Sequence, residues 1–311
     1  MAAIVKTVNL TKRYGSLVAL SNLNLEINEG DCFGFIGPNG AGKTTTIKIL
    51  ATLLQPTWGE ARVCDRVVGF ESRQIRPLIG YVPDYFGAYE DMVVQEYMEF
   101  FAAAYNIKEP QRSKVVSDVL ELTDLAYKRD APVDGLSRGM KQRLSIARVL
   151  LHDPKVLFLD EPAGNLDPRA RIELRELLKE LRRMGKTILI SSHILPELAD
   201  LCNTCGIIER GELIYSGPVA DIVRKAKVGT ILHVAVSKGI DQAISILRSD
   251  ERISEVSPQP GYLQVSLKDG QTDYAFVAPL LTNANLPLTL LKEEEVNLET
   301  AFMRLTKGIV Q

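Results

Sequence analysis

The sequence predicts an α/β protein with a largely parallel sheet, followed by a small α+β domain, on three observations. Short apolar runs such as "CFGFIG", "KVLFLD" and "TILISS" alternate with segments of helical periodicity; such runs fit strands buried on both faces beneath covering helices. The strands before Gly30 follow one another without helices, which fits an antiparallel side sheet. Beyond Gly217-Pro218 the spacing tightens into a strand–helix–strand–strand–helix–strand order.

Taken in order, the strands "VKTVNL" and "LNLEI" open the side sheet, and "CFGFIG" leads into a helix over 44–54. The strand "IGYVP" precedes helices at 93–105, 112–125 and 137–152, which form a helical subdomain over about 88–150. Then come "KVLFLD", a helix at 168–184, "TILISS", a helix at 194–201 and the hairpin "GIIERGELIYSG". A domain boundary is expected between Asp221 and Gly229, giving domains over 1–224 and 225–311. The second reads as "TILHVAV", a helix "DQAISILRS", "ISEVS", a turn "PQPG", "YLQVSL", a helix near "DYAFVAPLLTNAN" and "LTLLKE". That order fits a ferredoxin-like sandwich, with a last helix "NLETAFMRLTKG".

Composition bounds the function. The 311 residues are 46% hydrophobic and 24% charged, as in a soluble globular protein with a sizeable core. A net charge of −2 supplies no general field for nucleic acid. No apolar run reaches the length of a bilayer span, and "MAAIVKTVNL" alternates like a strand rather than a signal peptide. Any membrane role is therefore expected to act through a partner. Four cysteines in a chain of this length are not a disulfide framework and fit a reduced, cytoplasmic setting. Cys202 and Cys205 form a CxxC without a second ligand pair at matching spacing, so a helix end entering a strand is preferred over a zinc or redox site.

Two motifs carry chemistry. "GPNGAGKTT" comprises Gly37, Pro38, Asn39, Gly40, Ala41, Gly42, Lys43, Thr44 and Thr45. It follows an apolar strand and opens a helix, the context in which such a loop cradles phosphates. The glycines let backbone N–H groups face inward, and the helix start adds partial positive charge. Lys43 is placed to reach the β- and γ-phosphates, and Thr44 to bind Mg2+. "KVLFLDEP" ends a second buried strand in two acids, at the sheet edge where ligands bind. Asp160 is expected to hold Mg2+, and Glu161 to accept a proton or hydrogen bond from attacking water.

With "LSRGMKQRLSIARVL" between them, and "GNLDP" and "SSH" after, these motifs resemble the ATP-binding subunits of ABC transporters over essentially residues 3–220. The resemblance implies a P-loop NTPase core that binds and hydrolyses ATP with Mg2+. It implies that Tyr14 stacks on adenine and that Ser137 and Gly139 meet the γ-phosphate of ATP held by a second copy, with Arg138 and Met140 expected in the same nucleotide-binding segment. It further implies that Glu161 is the catalytic base, that Asp167 links the two copies, and that His193 is a γ-phosphate switch. One phosphate loop and one "LSRGM" per chain then require a dimer with ATP sandwiched between copies.

Two positions depart from the family pattern: Arg138 replaces the usual Gly, and Asp84 replaces the usual Gln that approaches Mg2+. The second domain resembles the C-terminal extension of exporter-branch ATPases. Leu298, Phe302 and Leu305 in its tail read as core packing. The implied partners are a second copy and an integral membrane permease subunit, at the cytoplasmic face of the cell membrane, with no nucleic acid expected. Tyr85, Phe86 and Tyr89 fit either a permease groove or local loop packing. The alternative reading is a soluble ATPase of the same superfamily acting on ribosomes or nucleic acid. That class usually carries tandem cassettes, long insertions or basic arms, which this sequence lacks. A P-loop kinase would leave "LSRGM" and "SSH" unexplained.

Overall fold

The computed structural model describes residues 3–294 apart from 86, 88–90, 193–197, 227–229 and 269, and without the side chains of 223–226. These residues divide at Ala220/Asp221 into two compact units, slightly before the position expected from the sequence.

In the first unit, β1 (Ala3–Tyr14), β2 (Leu17–Leu23) and β3 (Glu26–Asn28) pair antiparallel. The run "LNLEI" is thus shared between the end of β2 and β3 rather than being one strand. β4 (Cys32–Ile36) leads into α1 (Lys43–Leu50). This helix stops short of the expected 54 because Thr52 turns left-handed at φ 63 and the Leu53 N–H bonds back to the Lys48 carbonyl at 2.9 Å. That is a Schellman closure, which satisfies carbonyls the helix end leaves open. β5 (Trp58–Val63) and β6 (Arg66–Val67) then extend the side sheet, with β5 antiparallel to β1. The sequence hid β5 because only Ala61 and Val63 of it are buried.

The remaining elements of this unit are α2 (Ser72–Ile75), β7 (Ile79–Val82), α3 (Val94–Ala104), α4 (Gln111–Leu122), α5 (Arg138–Leu150), β8 (Val156–Asp160), α6 (Pro168–Arg183), β9 (Thr187–Ser192), β10 (Thr204–Glu209), β11 (Glu212–Pro218) and α7 (Val219–Ala226). The last of these helices crosses the division between units. The helix expected over 194–201 lies mostly outside the described residues; Leu198 and Ala199 are helical. The large sheet runs β11-β10-β4-β9-β8-β7, parallel except for β11. Every residue of β4, β8 and β9 is buried, which accounts for the apolar stretches 156–159 of β8 and 188–190 of β9 ahead of their polar ends. Their carboxyl ends lie side by side, with Ile36 opposite Ser192 and Asp160 opposite Ser191.

The second unit contains β12 (Ile231–Val236), α8 (Ile240–Ser249), β13 (Ile253–Gln259), β14 (Tyr262–Leu267), α9 (Val277–Thr282) and β15 (Leu288–Glu293). Its antiparallel sheet runs β13-β14-β12-β15, the order of a split βαβ sandwich. Ala243 and Leu247 of α8 and Val277 and Leu281 of α9 share one apolar core with Leu232, Val234 and Val265 of the sheet. The last expected helix, with Leu298, Phe302 and Leu305, lies outside the described residues.

Candidate nucleotide site

The phosphate loop is a tight backbone turn between β4 and α1. Gly42 adopts φ 109, and a side chain there would sit 2.8 Å from the Ala19 carbonyl; a side chain on Gly37 would run into the Ile208 carbonyl. Only glycine allows both the left-handed turn and the close backbone approach. Ala41 is buried under the loop, while Asn39 and Gly40 are exposed at its tip. Lys43, the first residue of α1, is 5% exposed. Its Nζ donates to the Gly37 carbonyl at 2.6 Å and the Pro38 carbonyl at 3.2 Å, and stands 3.2 Å from Glu161 Oε1. A desolvated cation is thereby held between the loop carbonyls and an acid.

Asp160 ends β8 and is 1% exposed. Its Oδ1 accepts from Ser191 Oγ at 2.7 Å and from Thr44 Oγ1 at 3.1 Å. Its Oδ2 is buried and has no hydrogen-bond partner among the described residues. Burial pushes this carboxyl above its ordinary value, the Ser191 and Thr44 hydrogen bonds pull it down, and the charges of Asp84 and Glu161 push it up again. A buried, unpartnered carboxylate oxygen beside a hydroxyl is a hard-oxygen donor set, and it fits Mg2+.

Glu161, the next residue, leaves the strand in a left-handed conformation at φ 48. Such a backbone is unusual for a non-glycine residue and clusters at functional sites. Its N–H donates to Ser191 Oγ at 2.9 Å. Ser191 is therefore a further residue of this site. Its one sequence-level signal is a hydroxyl that follows the apolar run 188–190, a signal it shares with Ser192.

A pocket of about 370 Å³ opens over the loop. It is lined by Tyr14, Leu17, Ala19, Pro38, Asn39, Gly40, Gly42, Lys43, Thr44, Thr45, Asp84 and Glu161. Tyr14 is 47% exposed at its mouth, with Lys12 Nζ 5.2 Å from its ring centroid. Asp84 is exposed, yet its charge reaches the buried end of the site. Burial first, then the charges of Asp160 and Asp84, push the Tyr81 hydroxyl up to about 12.

The other expected contacts lie apart from this pocket. Ser137 caps α5, its Oγ accepting from the Met140 N–H at 3.3 Å, and Asp167 caps α6, its Oδ1 accepting from the Ala170 N–H at 3.0 Å. Ser137, Arg138 and Asp167 are exposed, Gly139 is buried and Met140 half-buried. A side chain on Gly139 would fall 2.6 Å from Ala170 Cβ, so the starts of α5 and α6 touch. None of these five residues lines the pocket over the phosphate loop.

His193, Phe86 and Tyr89 lie outside the described residues, and Tyr85 is 77% exposed. The Cys202 thiol faces Cys32, at 3.7 Å, and Cys205 is buried at the start of β10. Burial pushes Cys205 up to about 12 and Cys202 strongly upward, which keeps both thiols protonated. No group of three or more His, Cys, Asp or Glu side chains among the described residues is arranged to hold a metal.

Comparison with known proteins bears on this geometry. The family described as "ABC transporter" matches residues 20–164. The linearmycin resistance ATP-binding protein LnrL of Bacillus subtilis (strain 168) is 31% identical over 307 residues, covering 97% of this chain and 98% of that protein. The Nod factor export ATP-binding protein I of Burkholderia orbicola (strain AU 1054) is 36% identical over 302 residues, covering 96% of this chain and 95% of that protein. Among solved structures, the dimeric MJ0796, a bacterial ABC transporter cassette, matches with a TM-score of 0.63 and 28% identity, over 69% of this chain and 98% of that one. The same cassette is known in a post-hydrolysis state bound to ADP and Pi.

Proposed function

The chain belongs to the ATP-binding subunits of ABC transporters, and from that premise we propose a role for each residue of its site. It is an ATPase that uses ATP with Mg2+, pairs with a second cassette and serves a membrane-spanning partner. In our reading the loop Gly37–Thr45 holds the phosphates, Tyr14 stacks on the base, and Thr44, Asp160 and Asp84 hold Mg2+. Bound there, Mg2+ would neutralise phosphate charge and fix the phosphate oxygens. Glu161 accepts the proton of the attacking water.

The observation that carries this assignment is the 3.2 Å approach of Glu161 Oε1 to Lys43 Nζ, one residue beyond the buried Asp160. It puts a carboxylate beside the cation that is to meet the transferred phosphate. Ser137, Arg138, Gly139, Met140 and Asp167 are assigned to the facing site of the second copy, and their absence from the pocket of their own chain supports that assignment. His193 is retained as the γ-phosphate switch on the ordered motif set alone.

We extend the proposal to direction and place. The relatives are named for Nod factor export and linearmycin resistance, which supports export by a separate permease subunit. Among the described residues no helix is long and apolar enough to cross a membrane. Peripheral attachment at the cytoplasmic face, through that permease, is the placement we propose. A division of labour between an ATP-binding domain over 1–224 and an accessory domain over 225–311 is supported by their separate apolar cores. The test is Glu161→Gln. We expect turnover to fall by about 10²-fold or more while ATP affinity holds, read by phosphate release and by calorimetry. Unchanged turnover would remove Glu161 from the mechanism.

A further inference from the structure

We propose that Ser191 is a positioning residue that sets both the metal-facing oxygen of Asp160 and the backbone of Glu161. The inference rests on the roles assigned to those two residues above.

Ser191 lies on β9 directly opposite Asp160 in the parallel ladder, and its side chain is fully buried. One hydroxyl makes both contacts. As donor it reaches Asp160 Oδ1 at 2.7 Å, and as acceptor it takes the Glu161 N–H at 2.9 Å. A hydroxyl has one proton and two lone pairs, so the two bonds are compatible and the single proton is committed to Asp160.

Two consequences follow for the site. Thr44 Oγ1 also donates to Oδ1, at 3.1 Å, so both hydroxyls engage the same carboxylate oxygen. Oδ2 is left without a hydrogen-bond partner among the described residues, which fixes the oxygen offered to a cation. Meanwhile Glu161 departs from β8 at φ 48, and a strained non-glycine backbone persists only when its surroundings hold it. The Ser191 hydroxyl holds the N–H of that residue. One buried side chain therefore couples the metal ligand to the base. A strand residue with packing duties alone would need no hydroxyl there.

The experiment compares the full chain with Ser191→Ala, Ser191→Cys and Glu161→Gln. Binding of a fluorescent ATP analogue is titrated in EDTA and against Mg2+, alongside steady-state turnover. Ser191→Ala is expected to lower turnover about tenfold and to raise the Mg2+ midpoint of nucleotide binding about tenfold. Its binding in EDTA should stay within about twofold. Ser191→Cys keeps the size but donates weakly, so it should follow Ala rather than Ser. Mg2+ midpoints and turnover equal to the parent chain in both variants would overturn the proposal. Equal losses of binding in EDTA and in Mg2+ would overturn it as well, since they mark a general collapse of the pocket. Glu161→Gln separates the two layers, because it should lose turnover and keep its Mg2+ midpoint. If Glu161→Gln keeps its turnover, the assignment of the base fails, and the Mg2+ midpoint of Ser191→Ala still decides the role of Ser191.

Discussion

The carboxyl end of the large sheet and the core of the second unit are built on opposite terms. At the sheet end, β4 and β8 deliver a 5% exposed lysine and a 1% exposed aspartate to one place. One carboxylate oxygen there has no hydrogen-bond partner among the described residues, and the next residue is left-handed. The second unit buries apolar side chains from both helices and from β12, β13 and β14, with Leu288 and Leu291 of β15 partly buried against them, and Thr230 is its only buried polar side chain among the described residues. Burying charge and strain opposes folding, whereas burying Leu247 or Val234 favours it. The first region carries the polar groups of the proposed site, and the second is shaped by packing.

That contrast can be broken by mutation. Leu247→Ala in the second unit should cost about 3 kcal/mol by leaving a cavity, measured by denaturant unfolding. ATP turnover below the transition should stay within about twofold of the parent chain. A parallel loss of turnover would show that the second unit is not separable from the first. Gly139→Ala tests the packing inside the first unit. Its Cβ would lie 2.6 Å from Ala170 Cβ, so overpacking should cost about 1–3 kcal/mol. Ala170→Gly in the same chain should return part of that loss, and a double-mutant cycle with no coupling would deny the contact. The smallest effect is expected at Asp84. Asp84→Asn and Asp84→Gln should need a few-fold more Mg2+ for half-maximal turnover and show a shallower Mg2+ dependence. Equal dependence in all three proteins would make Asp84 a loop carboxylate facing water.

The sequence and the structure agree most closely where one local pattern determines both. The glycines of the loop, the apolar run ahead of Asp160 and Glu161, and the alternating strands of the second unit are all short-range signals. What stayed hidden depends on long-range contact. β5 buries only Ala61 and Val63 and is a strand because β1 lies beside it. Gly139 is buried because Ala170, thirty-one positions on, leaves no room for a side chain. Ser191 matters because β9 is in register with Asp160, and no spacing within "TILISS" reveals that register. The Cys202 thiol faces Cys32, on another strand, rather than the nearby Cys205 that invites a CxxC reading.

In the role proposed above, Asp160 keeps its charge for the nucleotide at a cost to the fold. Burial raises its folded-state carboxyl above its ordinary value. The charge therefore opposes folding above the raised value and has no effect below the ordinary one. Stability from this site rises as pH falls through that window. The direct measurement is thermal unfolding of Asp160→Asn without nucleotide, beside its turnover. Turnover should be lost while stability rises by about 1 kcal/mol, a shift of roughly 2–4 °C. The gain should shrink in mild acid, where the parent carboxyl takes up its proton. Loss of turnover together with a lower unfolding temperature would mean that the buried charge supports the fold, the opposite of what its burial implies.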